Sequence, residues 1–146
     1  MNNAAEPLVL EYAVEGMDFA RAGDAASAIR KACVKLGLTA NDVRRVAVIA
    51  YEAELNIVIH AWKGTLRALI FSGRVELVAE DSGPGIPDIE QAMVEGFSTA
   101  PHHVREMGFG AGMGLNNIQR HADHLTIESA ENVGTVLRAV VILGTS

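Results

Sequence analysis

Cysteine is all but missing from this chain. Cys33 is the only one, so no intrachain disulfide can form. That sets aside the disulfide-stapled secreted scaffolds and makes the cytoplasm the expected compartment. The N-terminal stretch Met1-Asn2-Asn3-Ala4-Ala5-Glu6-Pro7 lacks both a basic region and an apolar run, so it does not read as a signal peptide. No apolar run approaches the ~20 residues of a membrane span. Positive charge is scarce too. With 12 basic against 18 acidic residues the net charge is -6, which argues against broad binding to nucleic acid or to an anionic membrane. Internal repeats and low-complexity tracts are absent. There is no Gly-x-Ser-x-Gly elbow and no Gly-Lys-Ser/Thr phosphate loop.

What remains describes a globular domain. Hydrophobic residues make up 49% of the 146, enough for a core and far from a disordered composition. The length favours a single domain spanning residues 1–146. Leu8 to Val14 alternates as a strand, with Leu8, Leu10, Tyr12 and Val14 on one face. Asp18 to Leu36 reads as a helix on an apolar stripe of Ala25, Ile29, Ala32, Cys33 and Leu36, stopped by Gly37. Thr39 is placed to cap a second helix that runs to about Trp62, with Asp42 standing where a capping box usually has Glu.

Leu66 to Phe71 and Arg74 to Ala79 pair as a hairpin across Ser72-Gly73. Pro87 to Glu95 suits a short helix, and Gly96 to Phe109 is an aperiodic stretch long enough to be a functional loop. Met113 to Ala122 follows as a helix. Leu125 to Ser129 and Val136 to Leu143 close the chain as strands joined at Asn132-Val133-Gly134. The order predicts an α+β two-layer sandwich, with helices on one face of a mixed, mainly antiparallel sheet.

Three segments carry chemistry. In the second helix, Glu52 and Asn56 are four apart and share a face. A carboxylate and an amide oxygen so placed suit Mg²⁺, or the carboxylate can accept a proton from an attacking hydroxyl; equally, the helix carries acids on an exposed face, as Glu54 is expected to do while pointing elsewhere. His60 lies on the Glu52 face and reads as a packed or capping residue. In the second segment, Asp81 ends a strand ahead of Ser82-Gly83-Pro84-Gly85. It can accept a hydrogen bond from an exocyclic amine, with Gly83 and Gly85 letting backbone approach a flat ring, or the run is only a turn. In the third, Gly108, Gly110, Gly112 and Gly114 alternate and then lead into Leu115-Asn116-Asn117. Such a loop can aim backbone N–H groups at phosphate, helped by the helix N-terminus. Arg105 beside it is either a phosphate contact or a solvated charge. His102, His103, His121 and His124 lack a persuasive metal-ligand set and read as surface residues. Cys33 fits a helix core better than a nucleophile.

Together, and in this order, the segments resemble the three nucleotide-binding boxes of the GHKL ATPase superfamily, whose ATP-binding unit is the Bergerat fold. Within it the chain is most similar to the small bacterial anti-sigma-factor and switch-protein serine kinases. The likeness covers roughly Ala20 to Leu143. It rests on Glu80-Asp81-Ser82-Gly83-Pro84-Gly85-Ile86-Pro87-Asp88-Ile89, on Gly96-Phe97-Ser98-Thr99, on Gly110-Ala111-Gly112-Met113-Gly114-Leu115, and on Gly134-Thr135. No histidine-bearing dimerisation hairpin precedes the domain, so the expectation is not a histidine kinase.

The resemblance implies roles at the matching positions. Glu52 would be the catalytic base and Asn56 the Mg²⁺ ligand. Asp81 would read the adenine amino group, with Thr135 nearby through water, and Gly83 and Gly85 would border the base. Gly110, Ala111, Gly112, Met113, Gly114 and Leu115 would line the phosphates. Residues from Pro87 to Phe109 would form an ATP lid, with Arg105 as a γ-phosphate contact. The implied activity is Mg·ATP-dependent phosphorylation of a serine or threonine on a STAS-type antagonist or scaffold, with a sigma factor or a phosphatase as a further partner and a homodimer allowed. The alternative is an ATP-gated protein-binding switch of the anti-sigma-factor type that transfers no phosphate.

Overall fold

A computed structural model of the chain describes residues 6–86, Ile89, Met93 and residues 114–144. Five strands form one sheet in the order β1-β2-β3-β5-β4: β1 Leu8–Glu15, β2 Lys63–Ile70, β3 Arg74–Ser82, β4 His124–Ala130 and β5 Gly134–Ile142. Every ladder between them is antiparallel, so the parallel pairing that a mixed sheet allows does not occur among the described strands. Three helices are described: α1 Asp24–Lys35, α2 Ala40–His60 and α3 Gly114–His121. Helix α2 crosses the sheet and packs on β1, β2, β3 and β5, while α1 and α3 flank it over β1 and β4.

The core lies between these layers. Along β3, Val75, Leu77 and Ala79 are buried toward the helices, as the two-residue period of a strand requires. They meet Ile29, Val46, Ile49, Ile57 and Val58 from α1 and α2, all nearly or fully buried. Cys33 sits in this cluster, and burial pushes its thiol up, in keeping with an inert core residue.

None of the three described helices packs on the opposite sheet face. There Arg67 reaches Glu11 (3.2 Å) and Glu80 (3.1 Å), and Arg138 and Arg74 both reach Glu76 (2.7 and 2.8 Å). The Arg67 contact to Glu11 is an ion pair by distance only, since its Nε is not aligned for a hydrogen bond. Val78 pairs between Arg67 and Arg138 and is only 4% exposed on this open face. Long arginine stems lying over a valine explain such burial without a second layer.

Local signals place the helices. Thr39 Oγ1 accepts from Asp42 N–H (3.2 Å), the forward half of a capping box. The return half does not form: the Asp42 carboxylate, buried at 3%, accepts Gly144 N–H (2.9 Å) instead and pins the end of the chain to the start of α2. Helix α1 ends in a Schellman motif, with Leu38 N–H on Cys33 O (3.2 Å) and Gly37 N–H on Val34 O (3.1 Å). Leu36, expected in the apolar stripe, is 51% exposed at that end.

The start of α1 differs most from the sequence expectation. The helix begins at Asp24, not Asp18. Gly23 has φ 98°, a left-handed conformation that no helix can pass through. Around it, residues from Asp18 to Asp24 make a run of turns closed by N–H bonds to carbonyls three positions back. Gly23 offers no side-chain cap, and Glu54 on α2 supplies one. Its carboxylate accepts Gly23 N–H (3.0 Å), Ala25 N–H (3.3 Å) and Ala26 N–H (2.9 Å). The reading of Glu54 as an exposed acid is therefore wrong. It is 3% exposed, and it stays buried because a helix N-terminus satisfies it.

The remaining expectations hold with small shifts of boundary. The hairpin strands run longer at both outer ends, from Lys63 and to Ser82. The expected helix from Pro87 to Glu95 and the loop from Gly96 to Phe109 lie almost wholly outside the described residues. Met93 N–H bonds to Ile89 O (3.1 Å), which has helical spacing.

Candidate functional site

The described candidate residues fall into two groups, one around Asp81 and Thr135 and one around Glu52 and the start of α3. Asp81 is the last inward-facing residue of β3, one step beyond buried Ala79. Its Oδ1 accepts the backbone N–H of Thr135 on β5 (3.1 Å). Burial pushes the Asp81 carboxyl above its ordinary range, and the Thr135 N–H pulls it partly back. Thr135 is thus joined to Asp81 directly through its main chain. Its hydroxyl is engaged elsewhere, 2.9 Å from Ser129 Oγ. Ser129 in turn accepts Ile86 N–H (2.7 Å), which fixes the turn after Asp81 against β4.

Gly83 and Gly85 lie in that turn. The space beside them is filled by the chain itself. A Cβ on Gly83 would stand 3.0 Å from Ala61 Cα, and one on Gly85 would stand 2.6 Å from Ala130 O. Gly85 also has φ 83°. Close packing between the turn, α2 and β4 therefore already requires these glycines, whatever ring lies beside them.

On α2, Glu52 and Asn56 are both half-buried, one turn apart. Glu52 faces the start of α3. Its Oε2 accepts the side-chain N–H of Asn117 (2.8 Å), and its Oε1 lies 3.5 Å from where a Cβ on Gly114 would sit. Gly114, the last glycine of the run, and the helix carboxylate, far apart in sequence, are thus brought together. Gly114 and Leu115 are the described part of that loop. Leu115 is buried in the core, so it anchors the loop's end. Gly110, Ala111, Gly112, Met113 and Arg105 lie outside the described residues, as do His102 and His103. Asn116 extends the other way, its side-chain N–H on Met93 O (3.1 Å).

His60 is half-buried at the end of α2, and burial pushes its imidazole down, as a packed histidine should be. His121 Nδ1 lies 2.8 Å from Asn117 O at the end of α3, and His124 is exposed. Among the described residues no group of three or more His, Cys, Asp or Glu could hold a metal. A pair of oxygen donors, Glu52 and Asn56, is what a cation would find here. That fits Mg²⁺, which keeps waters and takes substrate phosphates to complete its shell.

The sequence profile of the Histidine kinase-like ATPase domain family matches residues 17–141. That span holds Glu52, Asn56, Asp81, the glycine loop and Thr135. The chain belongs to that family. ATP is the nucleotide of this family, and the sandwich of helices on an antiparallel sheet is its GHKL fold. The Serine/threonine-protein kinase RsbT of Bacillus subtilis (strain 168) is 32% identical over 115 residues, covering 76% of this chain and 80% of its own. The Anti-sigma F factor of Caldanaerobacter subterraneus subsp. tengcongensis is also 32% identical over 115 residues, covering 75% of this chain and 77% of its own. The Anti-sigma F factor of Geobacillus stearothermophilus is 30% identical over 109 residues, at 70% and 71% coverage. No described helix of this family member is long and apolar enough to cross a membrane.

Sequence reasoning missed two residues of this site, Ser129 and Asn117, and misread Glu54, which caps α1 outside it. Ser129 gave no signal, being one polar residue in an alternating strand. Asn117 was passed over as the lead into a helix, although its place beside the glycine loop was visible. Glu54 was misread because the second position of a charged pair looks exposed until its partner helix is known.

Proposed function

We propose that the protein is a Mg·ATP-dependent protein serine/threonine kinase. It regulates a sigma-factor or stress-signalling pathway by phosphorylating a STAS-type antagonist or scaffold. The observation that carries this is the Glu52 carboxylate, held half-buried at the N-terminal end of α3, where the glycine loop ends, and one turn from Asn56. A pure binder has no need of a carboxylate at that point. The name of the RsbT relative, a serine/threonine-protein kinase, supports the same activity.

In this reading Asp81 accepts the adenine amino group, and Thr135 N–H keeps its other face ordered. The glycine loop, Gly110 to Gly114, aims N–H groups at the phosphates, with Ala111, Met113 and Leu115 setting its path. Arg105 neutralises charge at the γ-phosphate. Asn56 would hold Mg²⁺, which would supply charge neutralisation at the phosphates when bound. Glu52 takes the proton from the acceptor hydroxyl as its oxygen bonds to the γ-phosphorus. The bond from that phosphorus to the β–γ bridging oxygen breaks, and ADP leaves with the electron pair. Such a transfer needs mostly positioning and charge stabilisation, so a small site suffices. The added phosphate charge then weakens the partner's interface. A cytoplasmic location fits a partner class of this kind.

The second reading is an ATP-gated binder, favoured by the relatives named anti-sigma F factor. Mass spectrometry of a neighbouring STAS-domain protein after incubation with this protein and Mg·ATP separates the two. The kinase gives a partner about 80 Da heavier on one Ser or Thr, the mass of one phosphoryl group. Loss of that mass shift with Glu52→Gln and Asp81→Asn completes the case. Tight ATP binding with an unchanged partner mass supports the binder and overturns the kinase.

A further inference from the structure

Glu52 is held by a residue that neither the sequence motifs nor the proposed mechanism uses. Asn117 lies 65 positions away, on the opening turn of α3, and its Nδ2 donates to Glu52 Oε2 at 2.8 Å. Both side chains are half-buried, so the bond is shielded from much of the solvent competition. It is charge-assisted when Glu52 is ionised, and such bonds are the stronger kind. The other oxygen, Oε1, is set against Gly114 at the N-terminus of α3, which favours negative charge there.

We propose that Asn117 is the positioning residue of the catalytic carboxylate. It pins one oxygen of Glu52 and so fixes the direction in which the other is presented to the acceptor hydroxyl. The proposal rests on Glu52 being the base of the kinase described above. A carboxylate on a helix surface has three rotatable bonds between its backbone and its oxygens. A base left to sample them spends little time in the attacking geometry, and small misplacements of reacting groups are costly. Asn117 removes that freedom without making contact with substrate. The neighbouring Asn116 bonds to Met93 O (3.1 Å). The opening turn of α3 is therefore fixed on two sides, and Asn117 is a rigid support for its partner.

Two measurements on the full chain test this: the first asks whether the Asn117–Glu52 pair exists, and the second separates positioning from a plain structural role that ties α3 to α2. The first needs no activity. In a ¹H–¹⁵N spectrum the Asn117 side-chain amide is identified by its loss in Asn117→Asp. In Glu52→Gln that amide pair shifts while those of Asn2, Asn3 and Asn41 stay in place. An Asn117 amide that ignores Glu52→Gln overturns the proposal, whatever the enzyme does.

The second is steady-state phosphoryl transfer from γ-labelled ATP to the STAS-domain protein. Asn117→Ala lowers kcat about 10- to 100-fold and leaves KM for ATP within about twofold, with the melting temperature nearly unchanged. Asn117→Asp keeps the shape, removes the donor and sets two carboxylates together, so it loses more. Asn117→Ser, a shorter donor, recovers part of the loss. An active wild type whose kcat is untouched by Asn117→Ala and Asn117→Asp also overturns the proposal. A wild type with no transfer, together with an Asn117 amide that responds to Glu52→Gln, overturns the kinase reading and supports the pairing itself.

Discussion

Glu52 and Glu54 are the same residue type two positions apart on α2, and they meet opposite surroundings. Glu54 points into the crevice under α1, is 3% exposed, and accepts N–H groups from Gly23, Ala25 and Ala26. Its lone pairs are spent on the fold. Glu52 points toward α3, is half-buried, and takes a side-chain donor from Asn117 alone among the described hydrogen bonds. It keeps an oxygen with capacity to accept a proton. A carboxylate fully engaged by backbone is a structural part, and one held at a single oxygen by a side chain is free for chemistry at the other. The difference is one of partners, and partners come from other elements.

The largest effect that tests this contrast is on rate. Glu52→Gln keeps the size and the hydrogen bond from Asn117 but removes the base. Phosphoryl transfer is expected to fall on the order of 10²- to 10⁴-fold, with the melting temperature nearly unchanged and ATP still bound. Labelled-phosphate transfer and calorimetry on the same preparation read both. The mirror variant, Glu54→Ala, strands three N–H groups in a buried site. It is expected to cost about 3 kcal/mol in stability, read as a lower midpoint in urea unfolding. Should Glu54→Ala fold normally and lose only activity, the contrast collapses.

Asp81 sharpens the comparison, because it combines burial with a task. Asp81→Asn is expected to weaken ATP on the order of tenfold, measured by titration calorimetry. The pH signs can be worked out. Burial raises the Asp81 carboxyl, opposed in part by Thr135 N–H, so the folded state holds its proton more tightly than the unfolded chain does. Its contribution to stability is present below the ordinary carboxylate range and is lost as pH rises through the raised value. ATP binding moves the other way across the same window, because only the ionised form accepts without donating. Asp81→Asn removes both slopes.

Asp123 gives the smallest effect and the opposite sign. Ile142 N–H and then Arg45 lower its carboxyl. Its contribution is present above the ordinary range and is lost as pH falls through the lowered value. With a side chain 37% exposed the pair is screened, so Asp123→Asn is expected to cost about 0.5–1 kcal/mol at neutral pH and nothing in strong acid. Thermal melts at the two pH values decide it.

How much of this the sequence held varies with the distance between partners. The strand alternation of β1 and β3, the Thr39 cap and the Gly37 stop are local, and each was legible. The meeting of Glu52 with the end of the glycine loop followed from motif order. The start of α1 was not legible from the stripe alone, because residues from Asp18 to Ala22 are good enough helix formers. The left-handed Gly23 and a cap from a residue about thirty positions away decided it. Ser129 and Asn117 act through partners 43 and 65 positions off, on elements whose neighbours only the sheet order reveals. Asp42 shows the limit from the other side: a local motif was half right, because Gly144 competed for its carboxylate.

The Glu54 cap has a consequence for how the molecule breathes. The first amides of a helix ordinarily face water and exchange their hydrogens early, as the end frays. Here the amides of Ala25 and Ala26 are sealed by an acid from the neighbouring helix. They can open only when α1 separates from α2. Slow exchange at those two positions, matching the centre of α2, would mark the helix pair as one cooperative unit and give a clock for its opening at what is normally a helix's loosest end.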